Sequence, residues 1–257
     1  MKIKVFEAFA GYGSQSLALE RLKRTYPDFD YEVVGISEID KYAIQAYNIL
    51  HPNVTNYGDI SKIDWSQVPD FDLLTYSFPC QDISSAGRQR GFSKDSGTRS
   101  SLLWECEKAI EIKRPKFLLM ENVSALVEQK FIKCFHEWHY TLERYGYSNF
   151  SQVMNAKDYG VPQNRERIFM VSILGDEQFY FPKPFKSNKR LKDVLESNVD
   201  EKYYLSDKTI KSMRDHCERK QAEGCGFKFE PTNGEGIAKT IKTTAGSRET
   251  DNFIQEE

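Results

Sequence analysis

The sequence predicts an α/β fold: a mostly parallel β-sheet with helices on both faces, followed by part of a smaller second domain. Three observations carry this. Strand-like and helix-like runs alternate through the first 125 residues, the pattern of βαβ units. The residues that end the strand-like runs are unusual in composition, and open α/β sheets bind ligands beyond the carboxyl ends of their strands. After "RIFMVSIL" (residues 167–174) the alternation stops, and aromatics, prolines and lysines take over.

Taken in order, "KIKVFEAF" has the apolar and β-branched character of a strand. "SQSLALERLKRTY" follows as a helix, with Leu17, Ala18, Arg21 and Leu22 at helical spacing. Then come the strand "YEVVGIS", the helix "KYAIQAYNIL", the strand "FDLLTYS", the helix "SLLWECEKAIEI" and the strand "KFLLMEN". Residues 1–190 are expected to form the first domain and residues 191–257 a linker and the start of the second. Between 183 and 192, Lys183, Lys186, Lys189, Arg190 and Lys192 occur without an acid. That run is either a solvated linker or an edge that faces phosphates.

Composition narrows the classes. An apolar content of 39% and a charged content of 29% exclude a disordered chain. No run of about 18 apolar residues and no signal-peptide core occur, so a cytoplasmic protein without a membrane span is expected. The five cysteines, at 80, 106, 134, 217 and 225, show no CxxC spacing, which supports neither a disulfide framework nor a zinc site. A net charge of −2 leaves any polyanion site to a local patch.

Five strand exits carry the candidate chemistry. In "FAGYGS" (residues 9–14), Gly11 and Gly13 let a ligand approach the backbone at a helix N-terminus. Ser16 stands where a dinucleotide fingerprint has its third glycine, which argues against NAD. Glu38 ends the next strand and suits ribose hydroxyls. In "GDI", Asp59 suits an exocyclic amine and Ile60 a flat ring. Together they describe an adenosine pocket without a pyrophosphate clamp. Singly, each reads more simply as a turn glycine or a surface acid; three at successive exits are harder to dismiss. Cys80 follows Pro79 at a fourth exit, "SFPCQ", ahead of Arg88, Arg90 and Arg99. A helix N-terminus or nearby arginines favour its thiolate, and Pro79 restricts the backbone before it. The plain alternative is an inert core thiol. At the fifth exit, "MENV", partial desolvation is expected to raise the pKa of Glu121 so that it donates a proton. "QNRERIF" is expected to place Arg165 and Arg167 on one face of a strand entering the core.

In this order the motifs closely resemble the DNA (cytosine-5) methyltransferases of bacterial restriction-modification systems. The resemblance rests on "FAGYGS", "SEIDKYA", "GDI", "SFPCQDISSAGRQRGF", "MENV" and "NAKDYGVPQNRERIF", and covers roughly residues 3–190. It implies a Rossmann-like catalytic domain that binds S-adenosyl-L-methionine (AdoMet). Phe9 would stack on adenine, Gly11 and Gly13 would line the methionine end, Glu38 would hold the ribose, and Asp59 and Ile60 would bind adenine. Ala10, Ser14, Ile39 and Pro79 complete the implied cofactor set. Cys80 would attack the base, Glu121 would contact its N3 and N4 side, and Arg165 and Arg167 would support O2 and the carboxylate. Gln81, Ser85, Arg88, Arg90 and Arg99 would meet DNA. Glu7 stands where the family often has Asp, and Ser14 where it often has Gly.

The chemistry accounts for these residue types. A thiolate added to C6 of cytosine makes C5 an enamine carbon able to take a methyl group. Charge developing at N3 and O2 calls for a proton donor and a cation. Neither ring carbon is reachable inside a duplex, so the partner is duplex DNA with the cytosine flipped out. The glycine- and arginine-rich stretch 82–100 suits a lid over that DNA.

The family pattern continues with two further motifs not seen here, so the resemblance implies a C-terminally incomplete enzyme. A second subunit, a longer chain or an inactive truncation would each account for this. Two other readings stand beside the DNA methyltransferase: an inactive AdoMet- or DNA-binding relic, and an RNA cytosine methyltransferase.

Overall fold

The computed structural model describes residues 2–80, 99–224, 228–241 and 251–255. They form two compact units. The first comprises residues 1–153 and 167–181, the second residues 154–166 and 182–257.

The first unit holds strands β1 (Lys2–Ala8), β2 (Asp30–Ser37), β3 (Leu73–Tyr76) and β4 (Phe117–Val123), with most of β5 (Tyr147–Asn155) and β6 (Glu166–Leu174). Its helices are α1 (Ser14–Thr25), α2 (Lys41–Leu50), α3 (Leu103–Lys113) and α4 (Ile132–Arg144). The six strands run in the order β2-β1-β3-β4-β6-β5. β1 pairs parallel with β2 and β3, β3 pairs parallel with β4, and β6 runs antiparallel to β4. Because the chain passes from β1 to β2 on one side and then to β3 on the other, the order reverses at β1 and β3. A crevice opens at the carboxyl ends of strands around such a reversal.

Both faces of β1 are covered: Val5, Phe6, Glu7 and Ala8 are all buried, as expected for a central parallel strand. Phe6, Leu74, Tyr76, Leu118, Met120 and Met170 belong to the main core, together with Leu103, Ile110, Trp138 and Leu142 of α3 and α4. Burying this many large apolar side chains is the dominant stabilising term. Tyr76, the last residue of β3, is fully buried and accepts a hydrogen bond from Trp138 Nε1 at 3.1 Å.

On the opposite face α1 forms where expected, but its buried residue is Ser16, while Ala18, Arg21 and Leu22 are exposed. The inward position faces polar groups, which accounts for the small hydroxyl residue. Glu7 is fully buried, accepts a hydrogen bond from Tyr47 Oη at 2.6 Å, and leaves Oε1 without a partner. Burial pushes the Glu7 carboxyl up from its ordinary range, although the hydrogen bonds from Tyr47 and Ser16 oppose this.

The second unit contains α5 (Asp207–Ala222), capped by Ser206, and the loop from Asn155 to Arg165. Residues 182–190 have no regular structure but are tied in, as Phe185 N donates to Asp158 O at 2.9 Å. Lys192 pairs with Glu235, and the Arg190 guanidinium donates to Ser187 O and Lys189 O. Lys183, Lys186 and Lys189 are exposed.

Candidate active site

The exit of β1 turns sharply. Phe9, Gly11 and Gly13 have φ of 57°, 58° and 84°, left-handed values that glycine adopts without strain and phenylalanine does not. A Cβ on Gly11 would meet nothing within 4 Å, so its space is open. A Cβ on Gly13 would lie 2.5 Å from the His51 ring, so this glycine is required by packing as well as by φ. No side chain caps the N-terminus of α1, whereas Asp40 caps α2 by accepting from Tyr42 N and Ala43 N. The first-turn amides of α1 therefore remain suited to an anionic ligand group.

Glu38 follows directly on β2. Its Oε2 accepts from Gly11 N at 2.8 Å, and its Oε1 from Ile39 N and Asp40 N, both at 2.8 Å. A carboxylate has about four acceptor sites, so Oε2 retains capacity for a ribose hydroxyl. Asn56 stitches this exit to the next: its Oδ1 accepts from Glu38 N at 3.1 Å and Gly58 N at 3.0 Å, and its Nδ2 donates to Glu38 O at 3.0 Å. Sequence reasoning missed Asn56; an asparagine near a Gly-Asp pair is a signal common to many turns.

Asp59 uses Oδ1 to cap a short 3-10 turn, accepting from the amide and hydroxyl of Ser61 at 3.0 and 2.8 Å. Those bonds, the hydroxyl foremost, hold its carboxyl below the usual range. Oδ2 remains as the acceptor for a ligand amine, 3.8 Å from Lys62 Nζ. Ile60 is 4% exposed and belongs to the core, whereas Ile39 is 72% exposed. Of the two, Ile39 offers the larger free apolar surface to a flat ring. Phe9 is half-buried against the core, and Ala10 is buried. The open space at Gly11, the uncapped α1 and the Glu38 carboxylate together fit AdoMet.

Cys80 lies four residues beyond β3 and is half-buried with a free thiol. The segment leading to it is fixed on two sides. Gln15 Nε2 donates to Ser77 Oγ at 2.9 Å, and Asn122 Nδ2 donates to Phe78 O at 3.0 Å. Cys106, in contrast, is fully buried, and burial pushes its thiol far up, which makes it inert. Cys134 is half-buried and Cys217 buried.

Glu121 is on β4, one residue past the pairing of Met120 with Tyr76 at the end of β3. Its Oε1 stands 3.0 Å from Arg167 Nε on β6, with the two side chains 25% and 17% exposed. The expectation from the strand exit alone included no such partner. Arg165 does not share a strand with Arg167, because β6 begins at Glu166. The reason is local: Asn155 Oδ1 accepts from Arg165 N at 3.0 Å and Ala156 N donates to Arg165 O at 3.0 Å, which holds Arg165 in the loop of the second unit. That loop is braced further. Asn155 Nδ2 donates to Asn164 Oδ1, Asn164 N to Ala238 O, and Thr240 Oγ1 to Asn164 O. Gln81, Ser85, Arg88, Arg90 and Cys225 lie outside the described residues, and Arg99 opens a 3-10 turn, Arg99–Leu102.

Comparison with known proteins bears on the whole arrangement. The family model of C-5 cytosine-specific DNA methylases matches residues 3–256. This chain belongs to that family. It is 41% identical to the type II methyltransferase M2.ScrFI of Lactococcus lactis subsp. cremoris, over 81% of this chain and 71% of that protein. It is 36% identical to the type II methyltransferase M.NlaX of Neisseria lactamica, over 90% of this chain and 72% of that protein. In fold it is similar to the Dnmt2 methyltransferase of S. pombe, with a TM-score of 0.74 and 18% identity over 99% of this chain and 76% of that one. Membership makes the chain an AdoMet-dependent DNA (cytosine-5-)-methyltransferase. No helix among the described residues is long and apolar enough to cross a membrane.

Proposed function

We propose that Cys80 adds covalently to C6 of a cytosine flipped out of duplex DNA, so that C5 accepts a methyl group. The observation that supports this most is the placement of a half-buried free thiol at the exit of β3, beside the β4 exit that carries the Glu121–Arg167 pair.

Gly11, Gly13, Glu38, Ile39 and Asp59 would hold AdoMet, with Phe9, Ala10, Ser14, Ile60 and Pro79 around them. Bound AdoMet supplies an electrophilic sulfonium methyl. The Cys80 thiolate forms a bond to C6, and the electron pair of the C5–C6 double bond moves to make C5 nucleophilic. Glu121 holds the N3 and N4 edge of the base, and Arg167 fixes the Glu121 carboxylate while offering positive charge to the side where electron density collects. Once C5 carries the methyl group, loss of the C5 proton to a base re-forms the double bond and expels the thiolate. Arg165, Gln81, Ser85, Arg88, Arg90 and Arg99 are the proposed contacts to base and backbone, with Lys183, Lys186 and Lys189 as candidate phosphate contacts.

Duplex DNA containing 5-fluorocytosine, incubated with AdoMet, tests this, because a C5 that carries methyl and fluorine has no proton to lose, the thiolate is not expelled and the adduct persists. A denaturant-stable protein–DNA adduct is expected, absent in Cys80→Ser. No adduct, even with the C-terminal region of a relative supplied in trans, overturns the proposal and leaves a binding relic. Tritiated-methyl incorporation into tRNA in preference to duplex DNA would assign the substrate to RNA.

A further inference from the structure

We propose that Ser14, Gln15 and Ser77 form a positioning relay that makes the cofactor loop and the nucleophile segment move as one unit; this rests on the AdoMet reading of the β1 exit. Ser14 Oγ donates to Gln15 Oε1 at 2.9 Å, and Gln15 Nε2 donates to Ser77 Oγ at 2.9 Å. Ser14 and Gln15 open α1, directly after the glycine turn. Ser77 is the first residue past β3, three before Cys80. The bond therefore spans the crevice where the strand order reverses, between two neighbouring parallel strands whose last paired residues are Ala8 and Tyr76.

The primary amide is suited to this task. It accepts on one atom and donates on the other, so both hydroxyls fix its plane. Both contacts are side chain to side chain, so neither strand nor helix needs them for its backbone ladder. On its other side the segment is fixed to β4 through Phe78 O and Asn122. Ser77 and Phe78 are thus gripped between the cofactor helix and the strand that carries Glu121. The relay also gives a use to Ser14, a residue at which the sequence departs from the family's glycine. A ligand that settles against the first turn of α1 would bias the orientation of Gln15, and through Ser77 the approach to Cys80. Linkage requires the reverse effect as well.

The test uses the whole chain, S-adenosylhomocysteine as probe and iodoacetamide as a thiol reagent. Calorimetry gives the affinity, and peptide mass spectrometry gives the alkylation rate of Cys80, with the half-buried Cys134 as internal reference. In the wild type, saturating S-adenosylhomocysteine is expected to change the Cys80 rate severalfold and leave Cys134 alone. Gln15→Ala and Ser77→Ala are each expected to weaken binding about two- to tenfold, the worth of one hydrogen bond, and to abolish the response of Cys80. The double variant is expected to be no worse than either single one, and Ser77→Thr to restore the response. Additive losses, or a Cys80 response that survives in the single variants, overturn the relay. A wild type that binds S-adenosylhomocysteine without any change at Cys80 overturns it too. Failure of the wild type to bind removes the cofactor reading itself and the relay with it, and is distinguished by the calorimetry alone.

Discussion

Arg167 holds Nε 3.0 Å from Glu121 Oε1 although the two residues are not cross-strand partners: β4 and β6 pair Glu121 with Phe169 and Arg167 with Val123. The guanidinium reaches diagonally along the sheet, a span open to long side chains. A planar fork at that reach is not replaced by a point charge. Arg167→Lys is therefore expected to lower the single-turnover methylation rate at least about tenfold. Glu121→Gln is expected to lower it about 100-fold or more, in the range of lost acid–base participation. Rates at saturating AdoMet and DNA check both. Wild-type turnover in Glu121→Gln would remove this carboxyl from the chemistry.

The two thiols of contrasting environment give opposite expectations. Cys80→Ser should abolish the 5-fluorocytosine adduct while leaving the thermal midpoint within a few degrees of wild type. Cys106→Ala removes a buried sulfur from the core and should lower stability by about 1 kcal/mol with the adduct retained. Gel shift after denaturation and urea titration separate the two effects.

The two glycines of the β1 exit should also part company. Gly13→Ala places a Cβ 2.5 Å from the His51 ring at a φ of 84° and is expected to destabilise the chain by about 1–3 kcal/mol. Gly11→Ala meets nothing within 4 Å, so its stability loss should stay near the left-handed penalty of about 1 kcal/mol. Its Cβ enters the space assigned to the cofactor, so S-adenosylhomocysteine affinity should fall much further than stability. Equal losses of affinity in both would argue against that assignment.

Glu7 makes stability depend on pH with a definite sign. Burial raises its carboxyl above the ordinary value of 4.5, and the titratable groups that face it are Tyr47, His51 and Tyr31. The folded chain then holds a proton that the unfolded chain releases. The stabilising contribution is complete below about pH 4.5 and is lost as pH rises through the raised folded value. Glu7→Gln is expected to flatten that decline across a urea-denaturation series from pH 5 to 8. An unchanged slope would mean that another group carries it.

Much of the first unit was legible because its signals are local. The apolar runs give β1, α2 and β4 almost to the residue, and glycine, a strand-end carboxylate and Pro-Cys single out Gly11, Glu38 and Cys80 as candidates. What escaped was set by partners distant in sequence. The alternation of arginines in the sequence suggests a strand through Arg165, whereas the Asn155 bonds that hold it in a loop are not visible there. The sequence marks Ser16 only as the residue that breaks a dinucleotide fingerprint; its burial is set by the Glu7 carboxyl, which comes from another element. Nothing local in the sequence singles out Asn56, and Asn122 stands in "MENV" without a role of its own; their importance lies in which carbonyls and amides the fold brings within reach.

The Glu38 carboxylate accepts three backbone amides of its own chain, one of them from Gly11. The glycine turn is therefore shaped before any ligand arrives. A ligand entering a ready-made cradle gives up little chain freedom, and on leaving it has no collapsed loop to prise open. If the methyl donor sits there, its exchange is expected to need no rearrangement of this turn, so that rapid-mixing binding of S-adenosylhomocysteine should follow a single phase.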